Sequence, residues 1–95
     1  MTQSLSLSVN QMLGARGVKV RYAVPATFDG AQIRLVLFDM RGRLVRTLMD
    51  EPQASGDHTS LVDLRNLSAG HYICRMSVRT ERLSAAKTVR FTIAQ

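Results

Sequence analysis

The chain has 95 residues, which is enough for one domain and too few for two. Hydrophobic residues make up 45% of it, which excludes a disordered tract, and no run approaches the roughly 18 consecutive apolar residues of a membrane-spanning helix. The formal net charge of +6 comes from 13 basic and 7 acidic residues and suits weak binding to polyanions such as nucleic acid, lipopolysaccharide or acidic glycans.

A domain this small buries roughly 60–65% of the surface its unfolded chain would expose, so a deep substrate cavity would compete with the core for apolar residues. Cys74 has no cysteine to pair with, and its place in an apolar alternating pattern makes it a small buried hydrophobe. The first residues have no basic start and no apolar stretch of signal-peptide length, so if the parent protein is exported its signal lies upstream, and residues 1–3 are expected to be disordered.

Period-two alternation then runs through the chain. Leu5, Leu7 and Val9 alternate with serines and predict a first strand. Gln11 to Arg16 is the only place for a stray helical turn. Val18, Val20, Tyr22 and Val24 alternate with Lys19, Arg21 and Ala23 in a second strand, which Pro25 ends because it cannot donate to a ladder. Ala26 to Gly30 carries turn chemistry.

Ile33, Leu35 and Leu37 alternate with Arg34, Val36 and Phe38, so both faces of the third strand are partly apolar and it is expected to be central. Asp39-Met40-Arg41-Gly42 is a tight turn in which Asp39 accepts local backbone bonds and Gly42 takes positive φ. Arg43 to Met49 completes a hairpin, and Asp50 to Gly56 is expected as a loop.

His58 to Asp63 is a fifth strand, and Leu64 to Gly70 crosses to a sixth, His71 to Val78. In Leu67-Ser68-Ala69-Gly70-His71-Tyr72 a leucine plugs the core, a glycine turns the chain and a tyrosine opens a strand, which is the pattern of a tyrosine corner. Arg79 to Arg82 turns the chain, and Ala85 to Ile93 is the last strand, with Val89, Phe91 and Ile93 inward and Arg90 and Thr92 outward. About seven short strands with regular turns predict an all-β, immunoglobulin/fibronectin-III-like antiparallel β-sandwich forming a single domain over residues 1–95.

Catalytic constellations are missing from the spacing. His58 and His71 stand at strand starts with no cysteine or carboxylate cluster beside them, the serines form no nucleophile elbow, and the carboxylates fall mostly in turns. The six glycines are dispersed, so no phosphate loop exists. These readings predict no enzyme, metal or cofactor. Arg21, Arg34, Arg75 and Arg90 fall on strands and Arg41, Arg43 and Arg46 on or near the hairpin, and several sharing a sheet face would form a basic stripe. Arg34, Arg43, Arg46, Lys87 and Arg90 are the candidates for an interaction surface, and otherwise outward arginines guard edge strands. An aromatic content of 5% offers no stacking platform for nucleic acid.

Two stretches, Val18 to Pro25 with Ile33 to Leu48, and Ser55 to His58 with Leu64 to Met76, carry a resemblance in their order and spacing. They resemble the Ig-like domain of the flagellar hook-capping protein and, equally, the C-terminal sorting domains of the type IX secretion system. Asp39, Gly42, Leu67, Gly70 and Tyr72 are the matching signature positions. The resemblance implies a non-catalytic C-terminal module of a secreted or cell-surface bacterial protein, acting as a sorting or attachment signal. Its partners would be the secretion machinery or another domain of the parent chain. A protein- or glycan-binding module in a surface or flagellar assembly is the other reading.

Overall fold

The computed structural model describes residues 5–11, 17–64 and 67–93. Seven strands follow in order: β1 (Ser6–Gln11), β2 (Gly17–Val24), β3 (Gln32–Asp39), β4 (Leu44–Pro52), β5 (Gly56–Asp63), β6 (Gly70–Arg79) and β7 (Ser84–Ile93), with a 3₁₀ turn at Ala26–Phe28. They pair antiparallel into a three-stranded sheet, β1-β2-β5, and a four-stranded sheet, β4-β3-β6-β7. This is the expected all-β sandwich, with β3 in a central position. The helical turn expected over Gln11 to Arg16 lies outside the described residues, apart from Gln11, which ends β1. The disordered start expected at residues 1–3 also lies outside them.

Alternation produces the two layers because inward positions share one parity on each strand. Val18, Val20 and Tyr22 on β2 face Ile33, Leu35 and Leu37 on β3 and Cys74, Met76 and Val78 on β6, all buried. Leu64 plugs the end between the layers, and Leu7, Val9 and Phe91 cover the side where β1 and β7 approach each other. Each fully buried aliphatic side chain contributes about 1.5–3 kcal/mol. No charged or polar residue is buried among those described.

β4 differs from the sequence expectation. It runs on through Asp50 and Glu51 to Pro52, where a loop was expected from Asp50 onward. The reason is its place at the sheet edge: among the described strands β4 pairs only with β3, and an edge strand tolerates a proline. Two register shifts, between Leu35 and Val36 and between Leu37 and Phe38, mark bulges that insert Leu48 and Val45. Both inserted side chains pack against the core.

Candidate recognition surfaces

The hairpin signature does what its residue types allow. Asp39 Oδ1 accepts hydrogen bonds from the backbone N–H groups of Arg41 at 2.9 Å and Arg43 at 3.0 Å, and Oδ2 pairs with Arg43 Nε at 3.2 Å. Gly42 sits at φ 84°, and its N–H bonds to the Asp39 carbonyl at 3.0 Å. The Arg43 backbone bond first, then those from Arg41 and the Arg43 guanidinium, hold the Asp39 carboxyl below its ordinary range.

The corner signature is equally local. Gly70 has φ 150°, which frees the chain to enter β6. The Tyr72 hydroxyl donates to the Ser68 carbonyl at 2.7 Å, and its ring lies 6.0 Å from that of Phe91. Leu67 is half-buried and packs on the core. The five signature residues hold the fold together, two at the β3–β4 hairpin and three at the β5–β6 corner.

The histidines also serve the structure. His58 stacks on Tyr22 with ring centroids 5.0 Å apart, and its Nε2 lies 2.7 Å from the Ala54 carbonyl. Tyr22 in turn donates to Met49 Sδ at 3.4 Å. His71 Nδ1 lies 3.0 Å from Thr92 Oγ1. Burial pushes the Cys74 thiol up to about 11, as an apolar pocket requires. No group of His, Cys, Asp or Glu suited to a metal ion occurs among the described residues.

The candidate interaction residues separate into different places. Arg34 and Arg90 lie on the outer face of the four-stranded sheet, because they share parity with exposed positions opposite Ser77 and Ile73. Lys87 lies opposite Met76 and so has core-facing parity, but β7 is an edge strand and the side chain is exposed. An inward-parity lysine at an edge blocks pairing with a further strand. Arg43 is held at the hairpin by Asp39, and Arg46 reaches across to β5, donating from Nη1 to the Asp63 carbonyl at 2.7 Å.

The outer face also holds residues that the candidate set omits. A shallow groove of about 430 Å³ is lined by residues that include Ser77, Ser84 and Ala86 and the arginines Arg34, Arg75 and Arg79. Arg79 was expected in a turn, but it ends β6 opposite Gln32 and Ser84. The signal for it was present in the sequence, since Arg75, Ser77 and Arg79 continue one alternation. One row further on, Leu44, Phe38, Ile73 and Arg90 stand side by side across the sheet. Leu44 is 51% exposed there, whereas Val36 on the same face, between Thr47 and Arg75, is only 4% exposed.

Two facing antiparallel sheets ordered 1-2-5 and 4-3-6-7, locked by a tyrosine corner at the start of β6, define an immunoglobulin-like domain of fibronectin-III arrangement. The sequence pattern of the secretion system C-terminal sorting domain matches residues 17–90, and the chain belongs to that family. Its role is that of a sorting signal for type IX secretion, which marks proteins for release from, or attachment to, the bacterial cell surface. No curated protein and no solved structure matches the chain. No described helix is long and apolar enough to cross a membrane.

Proposed function

We propose that this domain is a non-catalytic module that the secretion machinery recognises as a folded sandwich, not as a linear peptide. One observation supports this reading: the residues that carry the family resemblance are consumed in folding. Asp39 and Gly42 close the β3–β4 hairpin, while Gly70 and Tyr72 form the β5–β6 corner. A carboxylate that already accepts from two backbone N–H groups and a guanidinium, and a buried tyrosine hydroxyl that already donates its one proton to a carbonyl, have little left to offer a partner. What they preserve is the outer surface, so that surface is what a receptor meets. On this reading Arg34 and Arg90 belong to the contact, and Arg46 acts within the domain.

The test is a reporter fused ahead of residues 1–95 and expressed in a bacterium with a type IX system. The intact domain should send the reporter out of the cell, and Tyr72→Ala, which opens the corner, should retain it. Export driven by the terminal strand alone, as a Lys87–Ile93 tail, would overturn recognition of the fold.

A further inference from the structure

The two outer faces of the sandwich are unlike. On the three-stranded sheet the rows read Ser6, Ala23, Asp57; then Ser8, Arg21, Thr59; then Asn10, Lys19, Leu61. That is a mixed polar surface with one exposed leucine. On the four-stranded sheet an apolar row of Leu44, Phe38 and Ile73 adjoins rows carrying Arg75 and Arg34, and Arg90 closes the apolar row at its end. These arginines form no ion pair with a described carboxylate. A surface that combines an exposed leucine and two half-buried apolar side chains, Phe38 and Ile73, with free guanidinium groups has the composition of a protein interface.

Building on the sorting role, we propose that the outer face of the four-stranded sheet docks an acidic polypeptide of the export machinery. Apolar side chains of that partner seat on Leu44, Phe38 and Ile73, and its carboxylates pair with Arg34, Arg75 and Arg90. Guanidinium forks bind carboxylates bidentately, which fixes orientation as well as adding attraction. Dense polyanions fit less well. Asp50 stands opposite Arg34, held by Gln32 Nε2 at 2.8 Å, and places a carboxylate inside the groove. The apolar row would be wasted on phosphate or sulfate. A second copy of the domain is disfavoured because two such faces would repel. Four strands about 4.8 Å apart, with same-face rows about 7 Å apart, present roughly 500 Å², the footprint of a transient contact, which suits a signal that is handed on.

The experiment uses the reporter fusion with two matched charge reversals, each changing the net charge by the same amount. Arg75→Glu with Arg90→Glu should lower secreted reporter at least tenfold while the thermal melt stays within a few degrees of the parent. Lys19→Glu with Arg21→Glu, on the opposite face, should leave export unchanged. Leu44→Ser should lower export without altering charge. Normal export of the Arg75/Arg90 variant, or equal losses from both reversals, would overturn this face as the docking site. Suppressors that restore its export should be acidic-to-basic substitutions in a protein of the machinery; suppressors confined to glycan synthesis would overturn the polypeptide partner. Failure of the unmodified fusion to leave the cell would overturn the sorting reading, and the docking face with it.

Discussion

Arg46 on β4 donates a guanidinium hydrogen bond to the main-chain carbonyl of Asp63 on β5, 2.7 Å away, and so joins edge strands of two different sheets. Among the described residues no ladder crosses between the sheets, and β4 and β5 touch less than β1 and β7 do at the opposite edge, so this bond ties the layers on the more thinly packed side. Arg46→Ala should therefore destabilise the domain by about 1 kcal/mol, the scale of a partly exposed charge-assisted hydrogen bond. In a domain of this size that is a fall of roughly 4–8 °C in Tm. A thermal melt checks it; unchanged stability together with lost export would move Arg46 to the recognition surface.

Tyr72→Phe keeps the ring beside Phe91 and removes only the bond to Ser68. Its expected cost is about 1–1.5 kcal/mol. Tyr72→Ala also vacates a core position and should cost about 3–5 kcal/mol. Urea unfolding of both variants separates the corner bond from the packing of the ring.

Gly42 at φ 84° has open space where a Cβ would stand, so the penalty of Gly42→Ala is conformational, not steric crowding by neighbours. About 1–2 kcal/mol is expected from forcing an L-residue into the left-handed region. Asparagine tolerates that region better, so Gly42→Asn should recover part of the loss in the same unfolding assay.

Asp39 gives the hairpin a dependence on pH. Its carboxyl is held below its ordinary range in the fold, so its contribution is present above the unfolded value of about 3.9 and disappears as the pH falls through the lowered folded value. Asp39→Asn keeps an oxygen acceptor for the Arg41 and Arg43 N–H groups but cannot titrate. The loss in urea midpoint between pH 7 and pH 3 should be smaller for this variant than for the parent.

Cys74 is fully buried, and its thiol is pushed up to about 11 by desolvation. It should resist thiol reagents at pH 8 until urea unfolds the chain. Because the folded value is raised, its share of stability is whole below the unfolded value of about 8.5 and is lost as the pH rises towards the folded one. The stability gap between the parent and Cys74→Ala should narrow over that alkaline window.

Much of this molecule follows from short-range pattern. Alternation of apolar residues sets strand positions from Leu5 to Ile93, since a strand with one buried face must repeat every two residues. Asp39 to Gly42 and Leu67 to Tyr72 specify a turn and a corner within a few residues of chain, and the bonds that result span four positions or fewer. The doubly apolar third strand foretells a central place, and Val36 on its outer face is indeed covered.

Which basic side chains share a surface was decided only by the tertiary structure. Bulges at Val45 and Leu48 alter the parity of β4 and turn Arg46 towards the other sheet, and the edge position of β4 lets Pro52 remain in the strand. Arg34, Arg75 and Arg90 come from three strands, and register alone aligns them. Register is a property of paired strands, set by turn lengths and by which faces meet in the core, and one strand's own residues do not contain it.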